Sequence, residues 1–468
     1  MTSRLLPLLA CIPLLAMPLL AQEPSAAEIQ DLSTRNADFA ARLYRAIAST
    51  TDDNVLLSPF TVSLGLAALM SGADGSTREQ LLQGLSLNAL DYLRIPELFQ
   101  SVRDSMAQSG FVNQGIGILP RQQFKVDSTY RDIVQTKYGG NVQGLDYSDG
   151  AAKDTINQFF STYTREQVKE VVSAIDPQTQ MMLITAVFFQ GQFALTFNTS
   201  FTQDERFYVN KYKIAMVPMM FRSDKYYLAY DRSLKLGVLK LPMTGGAAML
   251  VLLPDDDVDY TSIDEEITGE RFQGWLKQLK RTRLEVQLPR FILEQSYSLQ
   301  KVLPGLGISE VFQDSADFSG IGGETGLRLS EVVHKAAIIV DETSSTGNAH
   351  APNIFASLPP RLTVNRPFLF LIYHQATSSI LFMGRVIDPT KKSTQAPRGS
   401  GHQRGPGALK GPALAHLILL TNCLSKFVLL PVLPAWYRVS CALVFAFSSL
   451  PSSDLSACPD PACLPGPA

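Results

Sequence analysis

The residue types that most often carry catalysis are present in this chain, but not at catalytic spacings. The five histidines, His334, His350, His374, His402 and His416, are too scattered for an HExxH or another paired metal spacing. No GxSxG elbow surrounds any serine, and no placement of histidine and aspartate marks one as a nucleophile. Gly245-Gly246 lacks the flanking residues of a phosphate-binding loop and reads as a hairpin turn. Of the five cysteines, Cys11 lies near the start and Cys423, Cys441, Cys458 and Cys463 lie beyond residue 392. Residues 22–392 therefore offer no thiol nucleophile, CxxC pair or thiolate metal site. The expectation is a protein without a catalytic, metal or cofactor site.

What the chain offers instead is a loop. Asp341 to Pro360 is small and polar through Thr343, Ser344, Ser345, Thr346, Gly347, Asn348, Ala349, His350, Ala351, Pro352 and Asn353, with nothing large to bury until Ile354 and Phe355. Long loops inside compact domains are usually functional. The elements that hold this one are apolar and strand-like: Leu327, Leu329, Val333 and Ala336 to Val340 before it, Thr363 to Tyr373 and Ile380 to Val386 after it. A loop held this way suits a bait presented to another protein.

Earlier in the chain, Phe39, Leu43 and Ile47 give one apolar face of a first helix. Ser58-Pro59 predicts a cap and first-turn proline for a second, with Val62, Leu66, Leu69 and Met70 on its face. Thr77 and Gln80 have capping-box spacing for a third. Leu183 to Phe189 and Ala247 to Leu253 read as buried strands, so the class is mixed α and β. No internal repeat is seen.

The segment Asn365-Arg366-Pro367-Phe368-Leu369-Phe370-Leu371-Ile372-Tyr373, followed by Ile380 to Pro389, closely resembles the C-terminal signature of the serpins. Asn54 to Ser63, Gly72 to Thr77, Phe188-Phe189-Gln190-Gly191, Val217-Pro218-Met219-Met220, Leu288-Pro289-Arg290-Phe291 and Val333-His334-Lys335-Ala336 fall in the order of that family's other blocks. The resemblance runs from about Asn36 to Lys392, and is strongest to the plasma group containing antitrypsin, heparin cofactor and the protein Z-dependent inhibitor. It implies an α+β serpin fold, helices around three β-sheets with an exposed reactive-centre loop. The implied function is suicide-type inhibition of a serine protease. A non-inhibitory serpin, acting as a binding or carrier protein and cleaved as a substrate, is the alternative.

Carried over residue by residue, the resemblance implies a hydrogen-bonding role for His334 beneath the central sheet, with Ser58 and Thr61 nearby. Thr185 stands where the family has asparagine, which implies a looser network. Arg290 is implied to pair with Glu342 as a gate at the top of the sheet, with Phe193 in place of the usual tryptophan. Ser344, Ser345, Thr346, Gly347, Ala349 and Ala351 suit a loop that enters the sheet after cleavage. Ser344 replaces a usual glycine, His350 is bulky, and Pro352 cannot donate a ladder hydrogen bond. Alignment from Pro359-Pro360 puts the reactive bond between Ala356 and Ser357, with Phe355 the other candidate specificity residue. Counting from Glu342 by the family's usual interval reaches Leu358, disfavoured because Pro359 follows it. The loop is then two residues short, roughly 6 to 7 Å of strand reach.

Lys277, Lys280, Arg281 and Arg283 form a basic segment, either a solvated helix end or a site for a heparin-like glycosaminoglycan. Asn198-Thr199-Ser200 is an N-glycosylation acceptor sequence. With 468 residues, 46% hydrophobic and 18% charged, the chain can bury one large core, and its net charge of -2 argues against nucleic acid as a partner. Arg4 and the uncharged run Leu5 to Ala21 read as a secretory signal, residues 1–21, with a signal anchor as the alternative. The expectation is a secreted, extracellular monomer with a serpin domain over 22–392. Residues 393–468 turn Pro- and Gly-rich and then brokenly apolar, which predicts a disordered or aberrant extension, or else a membrane-associated tail.

Overall fold

The computed structural model describes residues 23–107, 110, 112–323, 326–342 and 359–392, so the signal segment 1–21 and the extension 393–468 lie outside the described residues. The helices are α1 (Ala26–Ala48), α2 (Pro59–Met70), α3 (Gly75–Gly84), α4 (Ile95–Ala107), α5 (Ser128–Ile133), α6 (Ala152–Tyr163), α7 (Tyr260–Glu266), α8 (Gly269–Gln278) and α9 (Ser319–Gly322). The strands are β1 (Val55–Leu57), β2 (Val112–Pro120), β3 (Asn141–Val142), β4 (Met181–Gln190), β5 (Gln203–Tyr208), β6 (Ile214–Asp231) and β7 (Leu236–Pro242). There follow β8 (Ala247–Pro254), β9 (Lys280–Pro289), β10 (Phe291–Ser298), β11 (Glu331–Val340), β12 (Arg361–Thr363), β13 (Phe368–His374) and β14 (Ser379–Val386).

Local signals explain most starts and stops. Ser25 and Glu28 close a capping box on α1, whose Phe39, Leu43 and Ile47 are buried as their spacing predicts. Ser58 caps α2 with Pro59 in the first turn, and every residue of α2 is buried, so this helix threads the core instead of lying on it. Gly245 and Gly246 take φ of 72° and 83° in the hairpin between β7 and β8.

The sheet that positions the loop has five strands in the order β10-β11-β4-β2-β3. β11 and β4 are parallel neighbours, in register from Glu331 opposite Met182 to Ile339 opposite Gln190. Both faces of this pair are covered, which is why β4 reads as a continuous apolar run. Met181, Leu183, Val187 and Phe189 join the main core with α2, whereas Met182, Ile184, Ala186 and Phe188 join a second cluster with α6 and the connector after it. Gly65 lets α2 lie close to the sheet, because a Cβ there would stand 2.9 Å from the Thr185 methyl.

The remaining strands form one nine-stranded path, β1-β14-β13-β8-β7-β6-β9-β12, with β5 on β6. Two of the three expected sheets are thus continuous through the 18-residue β6, whose start pairs with β5, its middle with β9 and its end with β7.

Three local expectations are corrected. Asp74, not Thr77, caps α3; the Thr77 hydroxyl accepts from Asp317 N at 2.9 Å, and Gln80 Oε1 accepts from Ser309 N and Glu310 N. The expected strand Thr363 to Tyr373 is broken into β12 and β13, since Pro367 has no N–H and the chain crosses there from β9 to β8 and β14. Leu327 and Leu329 are buried but precede the strand, which begins at Glu331.

Candidate functional site

A strand can enter this five-stranded sheet only where neighbouring strands part, and the seam between β4 and β11 leads directly to the loop, because the chain leaves β11 two residues before Glu342. Three sets of polar contacts hold that seam. The first is central and beneath the sheet. Ser58 N donates to His334 Nε2 at 2.9 Å, so the ring proton sits on Nδ1 and faces the Thr185 hydroxyl at 2.9 Å. Thr185 in turn donates to the Val333 carbonyl at 3.3 Å. His334 is on β11 and Thr185 on β4, so this bond crosses the seam. Burial pushes the imidazole down to about 3, and it is neutral.

The same network reaches further than His334 and Thr185. Ser58 Oγ donates to the Leu381 carbonyl on β14 at 2.6 Å and touches Thr61 Oγ1, which donates to Gln114 Oε1 on β2 at 2.9 Å. The expected looseness at Thr185 is not seen: its hydroxyl meets both the imidazole and a carbonyl.

The second set lies on the opposite face. Lys335, next to His334, donates from Nζ to the Glu170 carbonyl at 2.5 Å and pairs with Glu294 on β10 at 2.9 Å. Glu170 belongs to the connector between α6 and β4, where Val168, Val171 and Val172 are buried over the seam and Asn157 accepts from the last two backbone N–H groups. Lys335 therefore ties β11 to a segment that belongs to β4.

The third set closes the top. Arg290, the single residue between β9 and β10, grips Glu342 with two bonds, Nε to Oε2 at 2.9 Å and Nη2 to Oε1 at 2.6 Å, and Thr202 Oγ1 also donates to Oε1. The Glu342 side chain is only 4% exposed against 40% for Arg290. Burial works against its ionisation, but the bonds from Arg290 and Thr202 outweigh it and hold the carboxyl below its ordinary range. Those same bonds to Glu342 raise Arg290. Phe193 is buried just past β4 at the same end, bridged to Met243 and edge-on to Phe197 at 5.3 Å.

Other expected site residues stand apart. Ser344, Ser345, Thr346, Gly347, Pro352, Phe355, Ala356 and Ser357 lie outside the described residues. Lys277 ends α8, and Lys280, Arg281 and Arg283 open β9; all four are exposed, and none forms an ion pair among the described residues. Strand alternation puts Arg281 and Arg283 on one face and Lys280 on the other. Arg283 lies directly opposite Lys225 on β6, an addition the sequence concealed because the two are far apart along the chain. Asn198 caps a short turn, Thr199–Phe201, in the segment that leads to Thr202. Gln114 and Thr202 carried no local signal, whereas Lys335 stood visible as a charge in an apolar strand.

Comparison with known proteins agrees with this architecture. The family model described as Serpin (serine protease inhibitor) matches residues 34–389. The protein Z-dependent protease inhibitor of Mus musculus is 31% identical over 370 residues, 77% of this chain and 83% of that protein. The plasma serine protease inhibitor of Homo sapiens is 34% identical over 365 residues, 75% and 89%. The crystal structure of the mouse protein Z-dependent inhibitor superposes with a TM-score of 0.73 at 31% identity, covering 78% of this chain and 99% of that one. Human thyroxine-binding globulin in complex with thyroxine gives 0.71 at 29%, covering 78% and 100%.

Two predictions follow from the central contact. Thr185→Val keeps the shape but leaves the buried Nδ1–H of His334 unpaired, a cost of about 1 to 3 kcal/mol. Moving the proton to Nε2 gives no relief, because Ser58 N–H already points there. The variant should unfold at lower urea and take up a synthetic loop peptide faster; an unchanged midpoint and uptake rate would show that the bond does not hold the seam.

The second concerns pH. His334 has a folded value near 3 against 6.5 for the free side chain, so its contribution is complete above 6.5 and lost as pH falls toward 3. The loss is about 1.4 kcal/mol per pH unit in that window. Burial lowers His374 too, so the diagnostic is the difference between wild type and His334→Gln. The wild-type melting temperature should fall more steeply between pH 6.5 and 4.5; parallel profiles would refute the assignment.

Proposed function

The chain belongs to the serpin family, and from that premise we propose that it is a secreted inhibitor that traps one serine protease molecule and is consumed in doing so. The observation that carries this is the uninterrupted parallel ladder between β4 and β11, a sheet into which no strand has been added, with the loop-bearing chain leaving β11 two residues before Glu342. Strand addition at such a seam is a recognised way to store and release conformational energy.

In this reading the protease supplies the catalysis. Its serine Oγ attacks the carbonyl of Ala356, the amide to Ser357 breaks, and the Ser357 nitrogen leaves with a proton, so Ala356 becomes an acyl ester on the enzyme. Phe355 is the second choice for that position. The freed segment from Ser344 onward then enters between β4 and β11 and carries the ester away from water. Insertion requires the two strands, about 4.8 Å apart, to separate to roughly twice that distance. The Thr185 contact, the Lys335 bridge and the Glu342 grip must all break. Hydrolysis of the ester competes with insertion, and Pro352, lacking an N–H, and Ser344, lacking the freedom of glycine, favour hydrolysis.

Release into the extracellular space is supported by the signal-like residues 1–21 and by a relative named for plasma; among the described residues no helix is long and apolar enough to cross a membrane. A heparin-like polyanion is the second proposed partner. Lys225 and Arg283 face each other across adjacent strands with no ion pair to either among the described residues, a destabilising arrangement that a bound polyanion relieves. The working form is proposed to be a monomer.

Mixing with a panel of serine proteases and running denaturing gels tests the main reading. A stable high-mass complex is expected, with the cut between Phe355 and Ser357 by mass spectrometry. Ser344→Gly with Pro352→Ala should raise the ratio of complex to cleaved product. Clean cleavage without complex, in wild type and double variant alike, would favour a carrier role, of which thyroxine-binding globulin is an example among the similar structures.

Binding to immobilised heparin should weaken as salt rises. Replacing Lys277, Lys280, Arg281 and Arg283 by alanine should abolish retention, and Lys225→Ala alone should shift elution to lower salt. Elution at the same salt for all forms would mark the segment as a solvated face.

A further inference from the structure

Asn198-Thr199-Ser200 is the single Asn-x-Ser/Thr sequence in the chain, and the fold places it at the top of the seam. The segment carrying it is pinned on both sides. Arg222 donates to the Thr196 carbonyl at 2.6 Å, Phe197 is buried against Phe193, and Thr202 donates to Glu342. Between these anchors Asn198 Oδ1 accepts from Ser200 N at 2.9 Å, a local Asx turn, and its Nδ2 makes no hydrogen bond among the described residues. That nitrogen is the atom an N-linked glycan occupies. Thr199, Ser200 and Phe201 are exposed around it, so a bulky polar group fits without disturbing the core.

We propose that Asn198 carries an N-linked glycan that stands at the mouth of the seam between β4 and β11 and keeps the loop of a second copy of this chain out of it. The asymmetry is topological. The protein's own loop is tethered at Glu342, to which Thr202 of this segment donates, so it needs no approach from solvent. A loop from another copy must come from solvent past the segment 198–202. Parting strands expose backbone groups that any extended chain can pair with, so such a guard suppresses loop-into-sheet chains of molecules. The guarding role rests on the insertion reading above, whereas occupancy of Asn198 does not.

The test uses full-length protein secreted from a eukaryotic host. Peptide-N-glycosidase should remove one glycan's mass, mapped to Asn198. Ser200→Ala should lack that mass while keeping the Asn198 turn, since the bond there comes from the Ser200 backbone; Ser200→Thr should retain it. On gentle heating, deglycosylated protein and Ser200→Ala should form polymers on native gels several-fold faster than wild type and Ser200→Thr, with the rate of protease complex formation unchanged. An unmodified Asn198 overturns the proposal outright. Equal polymerisation with and without glycan, including none in either, overturns the guarding role. If protease complex and the rise in melting temperature after loop cleavage are both absent, the insertion reading has failed, whatever the mass at Asn198.

Discussion

The ladder between β4 and β11 is the constraint on which the rest of the molecule depends. It is buried on both faces, by α2 and the main core on one side and by α6 and its connector on the other, so in ordinary terms it is a stable piece of interior. A function by strand addition demands that this interior part without the domain unfolding. Parallel pairing, slightly weaker per residue than antiparallel, meets that demand in part. The rest falls to a small number of localised polar contacts, each of which can break as a unit. His334 crosses the seam on the inner face and Lys335, its neighbour, on the outer, because adjacent strand residues point to opposite sides.

The two charge states at the seam are opposite in kind. His334 is held neutral by burial, whereas Glu342 is held ionised by Arg290 and Thr202 despite burial. Neither group is an unpaired charge in the closed seam. β11 joins the two, carrying His334 near its start and running into Glu342 just past its end.

What the sequence made legible were features written in neighbouring residues. The apolar runs of β4, β8 and β14, the Ser58-Pro59 cap and the Gly245-Gly246 hairpin depend on local pattern, and they stand where the pattern put them. The family resemblance then placed His334 and Arg290 with their partners, which local reasoning alone could not. Signals failed where a polar side chain had a distant use. Thr77 and Gln80 look like a cap but bind the segment at 309–317, and Gln114, Thr202 and Lys225 acquire their roles only when strands separated by many residues come together. The break at Pro367 was visible as a residue type, but its consequence needed the topology.

A seam that opens needs something that stays still, and the C-terminal hairpin supplies it. Asn54 holds the segment 387–391 after β14, accepting from Ile387 N and Asp388 N and donating to the carbonyls of Asp388 and Lys391. Arg385 on β14 is buried against Asp264 of α7, which also accepts from Tyr44 of α1, and Arg385 further donates to the carbonyls of Thr51 and Asp53. Breaking such a buried pair leaves an uncompensated charge, which makes this corner costly to disturb. Ser58 then connects the fixed part to the moving one: its hydroxyl is bonded to Leu381 of the hairpin while its backbone N–H holds His334 at the seam. The residue that caps α2 thereby touches both the strongly bonded C-terminal hairpin and the ladder that strand addition must part.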